Sequence, residues 1–269
     1  MGASMAYALR GFRRAVILGA DTDDLVCRRA ESAGAVHRAY NDPLRVMEQA
    51  DLLLFCVYAH HIPSLLERGA KRLKAGCLLG DICGVKTALY EKIESLLPPG
   101  VDYVGLHPMA GKERDGYENA DAALYRGCGF IITPLPRSSA AGIAAMKELA
   151  SHIGAARLSV CPPREHDALI AYTSDLMHIA AAGLCLHPRE GMTPAFTAGA
   201  FRDCTRVADI NAEAWTELLL DNRARTAACL AQYIADLGEI QAALEQNDGP
   251  RLRELLHRAG ENKREMLRK

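Results

Sequence analysis

Asp102-Tyr103-Val104-Gly105-Leu106-His107-Pro108-Met109-Ala110-Gly111 is the stretch that decides the fold. Its first half reads as a buried strand. A strand that runs into His-Pro is expected to end there as a central ladder, because proline has no amide to donate. His107 is thereby delivered to the carboxyl end of a strand, where open α/β sheets place their ligands. An imidazole there can take or give a proton near neutral pH. The same residues also admit a histidine that only packs against the end of its strand.

Outward from this stretch, strand and helix patterns alternate. Asp51–Tyr58 is a near-continuous apolar run, as expected of a parallel strand covered on both faces, and a helix follows from Ile62 to Leu73. Cys77–Ile82 reads as the next strand. Val85, Leu89, Ile93 and Leu96 recur at helical spacing, so residues 85–97 form an amphipathic helix that Pro98-Pro99-Gly100 terminates. Further on come a strand at 128–133, a helix from Ser138 to Ile153 and a strand from Ala156 to Val160. This alternation predicts an α/β fold with a mostly parallel, doubly wound sheet of Rossmann type.

At the amino end, Gly2–Arg10 has helical character and Gly11 stops it; Ala15–Asp21 then reads as a strand ending in an acid. A dinucleotide-binding unit has a strand and a Gly-x-Gly-x-x-Gly turn ahead of such a helix. Met1-Gly2 matches only the last two positions of that turn, so the first strand is expected to be missing from this chain and NAD binding to suffer. From residue 164 strands give way to helices. One is expected over 164–187, and another from Asn211 carries Trp215, Leu218, Leu219, Leu230, Ile234 and Leu237. The tail Arg251–Lys269 reads as a solvated helical face. The expected division is a dinucleotide-binding domain at 1–162 and an all-helical domain at 163–269.

Composition excludes several classes. A net charge of −1 carries no basic footprint for nucleic acid. No apolar run approaches the ~20 residues of a membrane span, and no secretory signal pattern opens the chain. Nine cysteines without ligand spacing read as reduced thiols of a cytoplasmic protein and argue against a metal site.

Three further segments join the first: Ser174-Asp175-Leu176-Met177-His178, Phe201-Arg202-Asp203-Cys204-Thr205-Arg206, and Ala214-Trp215. In order and spacing the four together resemble the prephenate/arogenate dehydrogenase family, over nearly the whole chain. The resemblance implies oxidative decarboxylation of prephenate or arogenate with hydride transfer to NAD, giving 4-hydroxyphenylpyruvate or tyrosine, in tyrosine biosynthesis. It implies a homodimer built through the helical domain. It makes His107 the catalytic base and Arg206 the anchor for a substrate carboxylate, a task suited to a guanidinium. His178, Ser174, Asp203, Trp215, Lys112, Glu113 and Gly84 fall at substrate-pocket positions, with Glu113 pairing with Arg206 as a gate. Gly2, Asp21 and Val57 fall at cofactor positions, with phosphates at the start of the Gly2 helix; Asp21 favours NAD over NADP.

Without the resemblance, Ser174 reads as a helix cap, His178 as a satisfied helical histidine, Glu113 as a loop acid and Trp215 as a core anchor. Four positions depart from the family pattern. Gly84 stands where a serine usually joins the catalytic hydrogen bonds, Asp175 replaces a histidine, Met177 a proline, and Lys112 a threonine. Two other readings compete: a binding or regulatory homologue without cofactor binding, and another β-hydroxyacid-type dehydrogenase.

Overall fold

A computed structural model of the protein describes residues 1–111, 116–266 and 268. It divides into two compact units, Met1–Asn222 and Arg223–Lys269.

The first unit is built on seven strands: β1 (Leu18–Ala20), β2 (Arg38–Tyr40), β3 (Leu52–Phe55), β4 (Leu78–Asp81), β5 (Asp102–Met109), β6 (Gly129–Pro134) and β7 (Arg157–Val160). Among the described residues they form two sheets, β1-β2 and β3-β4-β5-β6-β7, parallel except where β5 meets β6. Helices α1 (Gly2–Ala8), α2 (Asp24–Ser32), α3 (Pro43–Met47), α4 (His61–Gly69), α5 (Thr87–Ile93) and α6 (Ala140–His152) alternate with the strands.

Side-chain alternation along each strand divides the core into two layers. Leu53, Phe55, Leu79 and Tyr103 point into one, packed on Val46, Ile62, Leu66, Leu89 and Ile93 of α3, α4 and α5. Leu78, Val104, Leu106 and Ile132 point into the other, against Met5 of α1 and Met146 and Leu149 of α6. This is the doubly wound arrangement expected of strands buried on both faces.

The two sheets are not hydrogen-bonded to each other. β1 and β3 instead line one cleft of about 2390 Å³, and Met1 and Gly2 line it too. Among the described residues no strand pairs between β1 and β3, at the place where the sequence reading expected the first strand. The remaining edge strand is shorter than its sequence suggests: only Leu18–Ala20 pair, with β2.

The expectation that Pro108 ends the ladder is corrected. β5 runs on to Met109, with His107 opposite Ile131 and Pro108 opposite Phe130. β4 pairs only with Asp102 and Tyr103, so beyond them β5 has one neighbour. In an antiparallel ladder, alternate residues turn their backbone groups toward the partner or away from it. The Leu106 carbonyl faces away and accepts from Lys86 Nζ at 2.6 Å. Pro108, two residues on, faces the same way, so its missing amide falls where no strand asks for one.

After β7 the chain is helical: α7 (Pro163–Ile170), a π-turn over Ala171–Asp175, α8 (Leu176–Cys185), α9 (Gly199–Thr205) and α10 (Ala212–Asp221). Pro163–Cys185 is continuous, 23 residues long, and apolar enough by length and composition to cross a membrane. That corrects the reading of no such run, which stumbled on the polar residues interrupting it. Three of those, His166, Asp167 and Asp175, are fully buried within the protein itself.

The long helix expected from Asn211 onward is broken at Asn222 (φ −108°, ψ 16°). The second unit is then a hairpin of α11 (Arg223–Glu245) and α12 (Gly249–Met266). It turns through Asn247 in the left-handed region (φ 53°), and Arg251 bridges Glu239 and Glu254 across the surface.

Candidate active site

Tyr103 and His107 lie on the same side of β5, four residues apart, which turns His107 toward the layer of α5. The start of α5 and the first turns of α7 meet there. His107 is half-buried. Its Nδ1 lies 2.8 Å from Nε2 of His166, and Nδ1 of His166 lies 2.8 Å from Oδ1 of Asp167. The Asp167 carboxylate also accepts the backbone amides of Lys86 (2.9 Å) and Thr87 (2.8 Å), the two residues that open α5. The other nitrogen of His107, Nε2, is 4.0 Å from where a Cβ on Gly84 would sit.

Burial of His107 lowers its pKa well below the usual value, and the neighbouring His166 and the Lys86 ammonium lower it further, against the opposing pull of Asp167. His166 is lowered mainly by burial as well. For Asp167, burial acts upward, but the hydrogen bonds from His166 and from the Lys86 and Thr87 amides outweigh it and leave the carboxyl below its ordinary range. Lys86 is wholly buried. It is paired with Asp81, which accepts from the Tyr103 hydroxyl at 2.8 Å as well. A buried charge needs such a partner, and the pair sits directly beneath the end of β5.

Gly84 has no room for a serine side chain in its present surroundings. A Cβ there would come within 2.7 Å of Leu218 Cδ1, so a leucine of α10 fills the space beside the His107 imidazole. Trp215, three residues earlier and on the same face of α10, stacks on His178 with centroids 3.6 Å apart and planes 30° apart. His178 Nδ1 lies 3.0 Å from the Ser174 carbonyl. Burial lowers the His178 pKa, the Ser174 carbonyl and Asp175 act upward, and the positive charge of Arg206 acts downward. A chain of neighbours therefore runs His107, Gly84, Leu218, then Trp215, His178 and Arg206.

Ser174 takes part through its carbonyl and lies in the π-turn rather than in regular α-helix; such turns shift the helix face and recur at functional sites. Asp175, which stands where the family pattern has a histidine, is fully buried and accepts from the Asn222 amide at 2.9 Å. Arg206 and Asp203 are exposed, at the end of α9. Lys112 and Glu113 lie outside the described residues.

The expected cofactor positions Gly2, Asp21 and Val57 line the cleft together with Gly84 and Leu218. Two observations make them fit a dinucleotide. Gly2, at the first turn of α1, packs close to the end of β3: a Cβ would meet Cβ of Cys56 at 3.0 Å, a tight contact, so a glycine suits the close approach of helix start to strand end seen in dinucleotide-binding units. Asp21 ends the β1 segment as an exposed carboxylate, its Oδ1 accepting from the Asp23 amide at 3.0 Å.

The sequence reading missed His166 and Asp167. Their one signal was an adjacent His-Asp pair just after the last strand, which has no spacing of its own to single it out. Among the described residues no group of histidine, cysteine, aspartate or glutamate could hold a metal ion.

Comparison with known proteins gives consistent matches along the chain. Residues 5–159 match the family model "Prephenate dehydrogenase, nucleotide-binding domain", and residues 162–258 match "Prephenate dehydrogenase, dimerization domain". A cyclohexadienyl dehydrogenase of Zymomonas mobilis is 29% identical over 261 residues, covering 94% of this chain and 88% of that one. A prephenate dehydrogenase of Bacillus subtilis is 28% identical over 262 residues, covering 94% and 70%. Among solved structures, prephenate dehydrogenase from Aquifex aeolicus, in complex with hydroxyphenyl propionate and NAD+, superposes with a TM-score of 0.88 at 23% identity, covering 99% of this chain and 94% of that one. The Synechocystis arogenate dehydrogenase does so with a TM-score of 0.83 at 24% identity, covering 99% and 96%.

Proposed function

Because the chain belongs to the prephenate dehydrogenase family, we propose that it oxidises and decarboxylates a prephenate-type cyclohexadiene, prephenate or arogenate, in tyrosine biosynthesis in the cytoplasm. NAD, when bound, accepts the hydride from the ring carbon that carries the hydroxyl. Gly2, Asp21 and Val57 would hold it, with the Asp21 carboxylate on the adenosine ribose hydroxyls. His107 takes the hydroxyl proton on Nε2 as the hydride leaves. The ring carboxylate departs as carbon dioxide, its electron pair completes the aromatic ring, and His107 returns the proton to the phenolate oxygen. Arg206 anchors a substrate carboxylate, and His178, stacked on Trp215, lines the same side of the pocket as Leu218.

The observation that carries this reading is the His107 imidazole, its pKa lowered by burial, whose Nε2 lies 4.0 Å from the Cβ position of Gly84, a residue lining the same cleft as Gly2 and Asp21. The protein acts as a homodimer through its helical residues, where Leu184, Leu186, Phe196, Phe201 and Leu220 stand exposed on the single chain; an apolar surface of this extent marks an interface. Steady-state assays of NADH formation, with prephenate and arogenate each tested against NAD and NADP, decide the reading. Turnover of either substrate with NAD supports it, and no reduced cofactor with any of the four pairs overturns it.

A further inference from the structure

We propose that His166 and Asp167 are positioning residues that set the tautomer of His107, so that Nε2, the nitrogen beside Gly84, always carries the lone pair. The inference rests on the reading of His107 as the base and follows from hydrogen-bond roles taken one by one. Asp167 is ionised and can only accept. Its Oδ1 is 2.8 Å from His166 Nδ1, so that nitrogen must carry the hydrogen. A neutral imidazole has one donor and one acceptor, so His166 Nε2 is left as an acceptor. It lies 2.8 Å from His107 Nδ1, which must therefore donate. That leaves His107 Nε2 bare beside Gly84, the state a general base needs.

The surroundings hold this direction of bonding in place. Asp167 cannot turn, because two backbone amides at the start of α5 fix both its oxygens. The Asn222 side chain holds the Asp167 carbonyl at 2.9 Å, which locks this turn of α7. Protonation of His166, which would make both its nitrogens donors and reverse the bond to His107, is opposed by its burial and by the Lys86 ammonium, which together outweigh the pull of Asp167 and Asp81. When His107 accepts a proton on Nε2, the positive charge it gains is shared through His166 with the Asp167 carboxylate, as in other relays where a second group orients the base.

The test has a readout that activity does not enter. Long-range proton–nitrogen correlation spectra of the intact protein with 15N-labelled histidine, at pH 7.5, report which ring nitrogen is protonated. Both His107 and His166 are expected as Nδ1–H tautomers, and His107 found as Nε2–H overturns the proposal whether or not the protein oxidises a cyclohexadiene. D167N supplies the second arm. Its carboxamide can donate to His166 Nδ1, which reverses both bonds and puts the hydrogen on His107 Nε2. Turnover then falls by about 100- to 10,000-fold while KM stays within about tenfold, the range of a mis-set base, and the His107 spectrum switches to Nε2–H. A folded D167N with near-normal turnover overturns the proposal. If D167N fails to fold, the wild-type tautomers decide alone, and a dehydrogenase assay that fails with these tautomers present counts against the proposed reaction rather than against the relay.

Discussion

His107 is held below its ordinary pKa by burial and two neighbouring cationic or basic groups, and the sign of that shift sets a pH dependence. A lowered pKa means the imidazole stays neutral, and able to accept a proton, as the pH falls past the usual ~6.5 of histidine. The acid limb of kcat/KM should therefore lie below pH 6.5; a profile already half-lost at pH 7 contradicts it. H107N keeps a polar side chain of similar reach but removes the base. Turnover should fall by about 100- to 10,000-fold with KM within about tenfold, measured by steady-state NADH formation. Near-normal turnover takes His107 out of the mechanism. His107 was legible in the sequence because the His-Pro-Met-Ala-Gly run around it is specific. Its partners were not: His166 and Asp167 are 59 and 60 positions away, and nothing in their local sequence says which loop they will meet.

The break between α10 and α11 is the clearest case of tertiary contact overriding helical pattern. Apolar residues recur at helical spacing on both sides of Asn222, which predicted one long helix. The chain departs from helical geometry at Asn222 itself. The physical reason lies in its side chain, buried at 1% exposure, whose Nδ2 donates to the Asp167 carbonyl and to the Asp175 carboxylate, each at 2.9 Å. N222A removes both donations while leaving α10 and α11 their helical propensity. It should destabilise the fold by about 1–3 kcal/mol, the usual cost of taking a buried polar partner away, read from urea denaturation midpoints. An unchanged midpoint would show that the break has another cause. The π-turn at Ala171–Asp175 was illegible for a similar reason: one residue's change of phase leaves no mark on an apolar pattern already interrupted by Ser174 and Asp175.

For the whole molecule, the slot between β1 and β3 is the feature with the largest consequence. Two strand edges face one cleft with no strand between them, and unpaired edges are a liability that proteins usually cover. Because Asp21 lines that cleft, D21A should weaken NAD binding in calorimetric titration, and an unchanged affinity would take Asp21 out of the cofactor site. The apolar side chains exposed on α8 to α10 predict a dimer burying more than ~1,200 Å² in total, and sedimentation at micromolar concentration should show it; monomer alone would refute it. The sequence by itself determined the alternation of strands and helices, the switch to helices after residue 160, and the family-like segments around His107, Ser174, Arg206 and Trp215. These are local properties, written in periodicity and in short motifs. Only the tertiary structure decided that β5 passes through Pro108, that Leu218 occupies the space beside Gly84, that Asp175 turns inward to Asn222, and that Asp167 reaches His107 through His166. Each of those depends on which distant segment arrives to supply or withhold a hydrogen bond or a volume, and no local pattern carries that information.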